Sequence, residues 1–501
     1  MRITLDSPVN KYYVQTLGMI FFPGEHFGDK EKESTPEEPS LYVRSEQREN
    51  GVYSYAKAEH KGKICEAEYM AEKKEGRTDE RTLKLSVGGA VLASLGDLVG
   101  YRPAWGMMIG VRPSKVASEM LNAGISKTRV KKILNSDYLV IPKKAALATD
   151  IALTEKRIVG EPSTKDCSVY ISIPFCPSRC TYCSFVSYTS KRLLDLIPEY
   201  LERLKVDIRA NFETIDRLGL RVRTVYIGGG TPTILTAGQL KELLSYISTF
   251  VNVSELDEYT MEAGRPDTID EEKLVIAKEY GVTRISVNPQ SLCDDVLYGI
   301  GRHHTAEDFY RAFSDARRAK IKTVNVDLIA GLPGDNFKKF SSTMDKVLQL
   351  SPENITVHTF CVKKSAEILR QNSDVYSIRG GDAGKCVDYS QIKAQQAGYI
   401  PYYMYRQKNT VGNYENVGFS QQGHEGLYNI YMMEEIHSIF AAGAGAVTKL
   451  VDNRAIGGVI SEKKTIERLF HQKYPYEYLA EDRSQQFAEM AERFYREHEM
   501  L

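Results

Sequence analysis

The chain has no excess of charge of either sign: lysine plus arginine and aspartate plus glutamate stand at 66 each. Such a balance creates no global field toward nucleic acid or an anionic membrane. Long hydrophobic runs are scarce. The most apolar stretch, residues 87–111, is rich in glycine and broken by Asp97 and Arg102, which argues against a membrane span. Residues 1–10 contain Asp6 and Pro8 and no apolar signal core. Cysteine is sparse too. Eight in 501 residues are too few for the disulfide framework of a small secreted scaffold. The length predicts two or three domains.

Three of the eight cysteines fall close together. Cys176, Cys180 and Cys183 are spaced C-x3-C-x2-C, directly after Ser168–Ile173, an alternating run that reads as a buried strand. Pro174 and Pro177 end that strand, so the cysteines lie on a loop at its carboxyl end. Three thiolates on a short loop can hold three irons of a cubane cluster and leave the fourth open to a ligand. A zinc knuckle is the alternative, but no cysteine or histidine occurs between Cys183 and Cys293 to complete it. A solvent-reachable cluster would favour a reducing cytoplasm.

From about residue 165 to 360, strands alternate with amphipathic helices. Strands are expected at 168–173, 222–227, 258–262, 283–288, 322–329 and 354–359. Helices are expected at about 193–215, 236–249, 268–280, 305–319 and 336–349, the third opened by a Thr268 to Glu271 capping box. Six β-α repeats predict an α/β fold, a partial (β/α)6 TIM-like barrel with chemistry at the carboxyl ends of its strands. The expected domains are an α/β accessory domain at 1–160, the barrel at 161–380 and an α+β extension at 381–501. Residues 12–22 and 52–69 read as strand, 114–135 as helical, and 479–498 as a charged helix on the barrel's outer face.

The later strands deliver polar groups at the same end. The second runs into Gly228-Gly229-Gly230-Thr231-Pro232-Thr233, where glycines admit close backbone approach to a ligand. The third ends in Glu262, the fourth leads to Asn288 and Gln290, and the fifth carries Asp327 before Gly331. An aspartate in a hydrophobic strand costs on the order of several kcal/mol unless it is partnered, which favours a ligand contact.

The stretch Tyr170 to Cys183, the Gly228–Thr233 segment and Gln290 together resemble the radical S-adenosylmethionine (SAM) enzymes. Within them the chain is similar to the oxygen-independent coproporphyrinogen III oxidase (dehydrogenase) family, and Arg406–Asn409 with Gly412–Gly418 are similar to its HemZ-like branch. The resemblance covers roughly 165–450. It implies that Cys176, Cys180 and Cys183 ligate a [4Fe–4S] cluster whose open iron is chelated by SAM. It further implies that Gly229, Gly230 and Thr231 meet the methionine end and that Arg302 pairs with the SAM carboxylate. Gln290 and Asp327 would contact the ribose, Glu262 would lie in the same pocket, and Tyr170 would stand beside the cofactor, with Tyr170 and Glu262 as the catalytic candidates. The implied reaction is oxidative decarboxylation of coproporphyrinogen III to protoporphyrinogen IX through a 5′-deoxyadenosyl radical. A flavodoxin- or ferredoxin-like electron donor and a monomeric, cytoplasmic enzyme are implied with it.

Two departures keep other functions open. Decarboxylating members carry a fourth cysteine two residues after the third, and here that place is Phe185. Heme-carrier relatives have a His-Asn-x-x-Tyr segment, and the corresponding stretch here is Tyr428, Asn429 and Tyr431 without the histidine. A heme carrier using His303, His304 or His358 is one alternative. An RNA-modifying radical enzyme, using the helical pair around Ala123–Ser126 with Arg129, Lys131 and Lys132, is another. Lys363, Lys364, Arg406 and Lys408 are candidates for anchoring tetrapyrrole carboxylates.

Overall fold

The computed structural model describes residues 1–23, 25, 38–110, 112–161, 163–183, 187–361, 381–407, 410–452 and 465–500. These divide into two compact units. The first draws on Met1–Leu153, Leu369–Gly384 and Met404–Glu415, and the second on Thr154–Ile368, Lys385–Tyr403 and Asn416–Leu501.

The first unit opens with β1 (Arg2–Asp6), α1 (Lys11–Phe21), β2 (Ser40–Arg48), β3 (Gly51–His60), β4 (Lys63–Glu72) and α2 (Asp79–Val99). The strands form a sheet in the order β1-β2-β3-β4, parallel in its first pair and antiparallel after it. Residues 12–22, expected as strand from their aromatic and β-branched content, are the helix α1. Asn10 caps it by accepting from the Tyr12 amide, and Val14, Leu17, Gly18 and Phe21 bury one helical face, so period outweighs composition. Of the described helices, α2 alone is long and apolar enough to cross a bilayer, and 72 % of its most apolar window is buried. It packs on β3, β4 and α1. Its glycines explain the fit: a Cβ on Gly89 would lie 2.3 Å from the Tyr69 ring, and one on Gly88 would lie 2.4 Å from the Tyr13 hydroxyl. The helical pair α3 (Pro113–Asn122) and α4 (Lys127–Ser136) follows, then α5 (Pro142–Val159).

The second unit is built on β5 (Asp166–Ile173), α6 (Lys191–Leu194), α7 (Ile197–Arg217), β6 (Arg221–Gly229), α8 (Ala237–Ser248), β7 (Glu258–Gly264), α9 (Glu271–Glu279), β8 (Arg284–Val287), α10 (Asp294–Gly299), α11 (Ala306–Arg318), β9 (Thr323–Ala330), α12 (Phe337–Gln349) and β10 (Asn354–Thr359). Strands β5 to β10 are neighbours in sequence order and all parallel, which is the predicted six-stranded β/α arc. The expected helix at 268–280 starts later than its threonine suggested. Thr268 belongs to a 3-10 turn and bonds the Arg265 carbonyl, and Asp270 caps α9 through the Lys273 amide.

After α13 (Ala383–Gln396), β11 (Ile400–Tyr405) and β12 (Asn416–Ser420) extend one edge of the sheet, with β12 antiparallel to β10. Then come α14 (Leu427–Glu434), β13 (Ser438–Ala442), β14 (Val447–Val451), β15 (Ile466–Phe470), α15 (Pro475–Ala480) and α16 (Ser484–Glu497). Strand β13 joins the other edge, parallel to β5, and turns through Gly443 and Gly445 into antiparallel β14. The segment from Gly443 to Gly445 is therefore a strand-to-strand turn. Helix α16 packs against α7, on the outer face as expected.

Alternation within the parallel strands separates two surfaces. Val169, Ile171, Val225, Ile227, Met261, Val324, Val326 and Ile355 face the helices and are fully buried. The opposite parity carries Tyr170, Tyr226, Glu262, Asp327 and His358. Each of these is the partly accessible residue within an otherwise buried stretch of its strand, so the arc encloses a polar lumen that water still reaches.

Candidate functional site

The cysteine loop leaves β5 at the carboxyl end of the arc and is held from three sides. The Cys176 amide donates to the Tyr188 carbonyl at 3.0 Å and Tyr188 donates back to Pro174 at 2.8 Å. The Thr181 amide donates to Ile300 at 3.1 Å. Arg265, after β7, donates to the Ser178 hydroxyl at 2.7 Å and is itself gripped at two points by Asp267, both at 3.0 Å. Burial alone would raise the Asp267 carboxyl, but the bonds and charge of Arg265 outweigh it and hold the group below its usual range.

Cys176 and Cys180 are buried, Cys183 is half-buried, and none of the three is in a disulfide. The Cys176 thiol lies 3.2 Å from the Thr231 hydroxyl. Burial pushes its pKa up to about 11, and the neighbouring Cys183 and Cys180 push the same way. A buried thiol such as that of Cys176, whose ionisation its neighbours oppose, is relieved by a cationic centre, because ligation removes the proton. Among the described residues no three His, Cys, Asp or Glu side chains converge on a point that would hold a single ion. A cubane needs no such convergence, since each thiolate meets a different iron. Three thiols on one loop, each able to meet a different iron, fit a cluster. Gly230 completes the cradle: a Cβ there would stand 2.6 Å from the Phe175 carbonyl and 2.9 Å from the Cys176 sulfur.

Arg302 is buried beside this loop. Its Nη1 donates to the Asn288 carbonyl at 2.5 Å, while its Nε is buried without a partner. Burial works against its charge, but Tyr182 and Cys180 hold the guanidinium firmly protonated. Gln290 is likewise buried, with an unpartnered Oε1 and a left-handed backbone at φ 68°. Its amide donates to the Asp327 carbonyl and its own carbonyl accepts from Ile329, each at 3.0 Å, which stitches the loop after β8 onto β9. A non-glycine residue held at positive φ by such bonds stores strain of the kind found at ligand clamps.

Deeper in the lumen, Tyr226 donates to Glu262 at 2.5 Å. Burial raises the Glu262 carboxyl to about 7, Asp327 adds to the rise, and the bonds from Tyr226 and the Gly229 amide oppose it. Asp327 accepts from Asn325 at 2.7 Å and faces His358 Nε2 at 3.6 Å. Burial would raise it, but His358, Asn325 and Thr356 together hold it below the usual carboxylate range. Tyr170, Tyr226 and Tyr428 stack, with ring centres 6.0 Å apart for the first pair and 4.4 Å for the second. Tyr428 reaches the lumen because Glu258, at the start of β7, accepts the Leu427 and Tyr428 amides at 2.9 and 3.1 Å and so seats the first turn of α14.

The expected residues thus form two linked groups. The three cysteines, Gly230, Thr231 and Arg302 surround the loop, and Tyr170, Glu262 and Asp327 line the lumen. Gly229 and Gln290 join the two. Sequence reasoning missed Tyr226, Arg265, Asp267, Glu258 and the lumen position of Tyr428. Of these, only Tyr226 carried a local signal, sharing strand parity with Gly228. The other candidates fare differently. Arg406 is no surface anchor: it is buried in the first unit, donates to the Met108 carbonyl and lies 5.8 Å over the Trp105 ring. Phe185, Lys363, Lys364, Lys408 and Asn409 lie outside the described residues. His303 is exposed, while His304 is buried and its pKa is lowered to about 3 by burial and then by Arg302. Near α4, Lys127 and Lys131 face Asp150 at 2.9 and 3.5 Å.

An open parallel arc with three thiols beyond its first strand defines the radical SAM class, and residues 170–347 match the radical SAM superfamily. An oxygen-independent coproporphyrinogen-III oxidase-like protein of Bacillus subtilis, HemZ, is 38% identical over 359 residues, covering 70% of this chain and 71% of that protein. The heme chaperone HemW of Bacillus subtilis is 31% identical over 314 residues, covering 62% and 77%. Among solved structures, coproporphyrinogen III oxidase (HemN) from Escherichia coli aligns with a TM-score of 0.47 at 18% identity, covering 67% and 73%. The chain belongs to the radical SAM oxygen-independent coproporphyrinogen III oxidase family, in its HemZ-like branch. The cofactors of that family are a [4Fe–4S] cluster and SAM.

Proposed function

We propose that this protein is a radical SAM oxidoreductase acting on a tetrapyrrole, and that it converts coproporphyrinogen III to protoporphyrinogen IX by oxygen-independent oxidative decarboxylation. The observation that carries this reading is the set of Tyr170, Tyr226, Glu262, Asp327 and His358, one partly accessible side chain from each of five strands, together with a loop of three thiols that form no disulfide. The kinship with a coproporphyrinogen-III oxidase-like protein supports the substrate.

Cys176, Cys180 and Cys183 would hold the cluster. Bound together, cluster and SAM would supply the chemistry that abstracts a hydrogen atom from a propionate side chain. Arg302 is suited to the SAM carboxylate, since its guanidinium is buried, charged and has a free Nε. Asp327, kept ionised, and Gln290, with its free carbonyl oxygen, are suited to the ribose diol. Gly229, Gly230 and Thr231 bring backbone to the methionine end. Glu262 lies where it takes or holds a proton beside Tyr170 as charge enters the lumen.

The kinship with HemW favours a second reading, a heme carrier. Against it, the stretch corresponding to the carriers' histidine segment presents Tyr428, which is packed in the aromatic stack. Anaerobic reconstitution with reductant, SAM and coproporphyrinogen III, followed by mass spectrometry, separates the two. Protoporphyrinogen with 5′-deoxyadenosine supports the enzyme. Tight heme binding without turnover supports the carrier, and deoxyadenosine without a tetrapyrrole product removes the substrate.

A further inference from the structure

The sheet of the first unit has one covered face and one bare face. Helices α1 and α2 pack on the side that carries Leu41, Val43, Ala56, Ala58 and Ala71. On β2, β3 and β4 the alternate residues turn away from that core and are exposed or half-buried. Strand register sets them in rows across the sheet. Arg44, Tyr55 and Glu68 share one row, and Glu46, Tyr53 and Met70 share the next.

Charge runs across these rows in one direction. Arg44 and Arg48 outnumber Glu46 on β2, Tyr53 and Tyr55 hold the middle, and β4 presents Glu66, Glu68 and Glu72. Arg48 lies 4.0 Å over the Tyr53 ring, and Arg44 lies 5.7 Å over that of Tyr55. The same two phenols bond Glu68 and Glu66, and Lys57 faces Glu66 at 3.9 Å. The side chains are therefore positioned before any partner arrives. Ile64 and Met70, 50% and 39% exposed, add apolar surface on the acidic side.

A bipolar face of this kind complements itself in one arrangement. A two-fold axis along β3 lays the rows of a second copy over the same rows of the first, with β2 over β4. Arg44 then meets Glu68 of the second copy, Arg48 meets its Glu72, and the tyrosines meet each other. An axis across the strands would set β2 on β2 and β4 on β4, like charge on like. Edge pairing is blunted as well. Strand β4 ends the sheet, but two antiparallel β4 strands with Ile64 opposite Met70 would also put Glu66 opposite Glu68. Single-stranded nucleic acid stacks on tyrosines of such sheets, but here three glutamates repel its phosphates.

We propose that this face docks a second copy of the chain, in place of the monomer that the family resemblance implies. Three strands spaced ~4.8 Å apart, each of ten residues at ~3.3 Å, give about 450 Å² per copy and about 900 Å² in all, the size of a transient contact rather than a permanent one.

Sedimentation of the purified 501-residue chain tests this. Wild type is expected to pass from monomer to dimer as its concentration rises, less readily at high salt. Arg44→Glu and Glu68→Arg are each expected to raise the dimer Kd by about tenfold or more. Mixing the two variants is expected to restore association, because every cross-contact then joins an acid to a base, and that rescue shows both variants to be folded. A wild type that stays monomeric at about 0.2 mM overturns the proposal. So does a dimer that neither substitution weakens, or a loss that mixing fails to rescue. Binding of an oligouridine probe that Tyr53→Ala abolishes would give the face to nucleic acid and overturn it too.

Discussion

Tyr226 donates a hydrogen bond to Glu262 across the lumen at 2.5 Å, and burial pushes the pKa of the accepting carboxyl up to about 7. The sign of the consequence follows. A carboxyl whose pKa is raised on folding favours the folded state fully below its unfolded pKa, and that contribution is lost as the pH rises through about 7. Glu262→Gln keeps an acceptor for Tyr226 and removes the ionisation. It should therefore stabilise the fold relative to wild type at pH 8 but not at pH 4, on the order of 2 kcal/mol and read as a higher thermal midpoint at pH 8 only, since the lumen side of Glu262 still meets water. Equal midpoint shifts at both pH values would refute this.

Arg302→Gln should weaken SAM. A charge-assisted bond is worth about 1.5–3 kcal/mol, so the Kd measured by equilibrium dialysis on reconstituted protein should rise by roughly one to two powers of ten. Iron content measured on the same samples separates this from a loss of cluster, because Arg302 also bonds Cys180.

Gly230→Ala should prevent cluster assembly. The added methyl would meet the Phe175 carbonyl at 2.6 Å and the Cys176 sulfur at 2.9 Å, and the first of these contacts is backbone that has little room to yield. Iron and sulfide per chain should fall well below wild type while far-ultraviolet circular dichroism stays the same. Normal cluster loading would show that the loop is freer than its hydrogen bonds indicate.

Glu415→Ala should destabilise the first unit. Glu415 is fully buried and accepts from Trp105 Nε1 at 2.7 Å and from the fully buried Lys144 ammonium. Removing one partner of such a pair strands the other charge, at a cost of about 3–5 kcal/mol. Limited proteolysis should cut the variant within residues 1–153 at denaturant concentrations that leave wild type intact.

Much of this was legible because the chemistry is local. Cys176, Cys180 and Cys183 must share one loop to share a cluster, so their spacing is visible in a single line of sequence. The parallel arc was legible for a related reason: each strand alternates and each crossover helix carries its own apolar stripe. Arg265 gave no such signal, since its task is to grip Ser178, 87 residues away. Tyr428 gave none either, because what places it is Glu258, 170 residues earlier in the chain. Residues 12–22 were misread as strand because aromatic and β-branched residues can also line one face of a short, well-capped helix.

A closed eight-stranded barrel fixes the bore of its own mouth, but a six-stranded arc has two free borders and a gap between them. Here those borders are hemmed by β12 on one side and β13 on the other, both contributed by residues 416–442. The bulk of molecule that can enter sideways is therefore governed outside residues 170–347, the part matched to the superfamily. Exchanging the hems between branches should alter substrate choice while leaving the iron-binding loop intact.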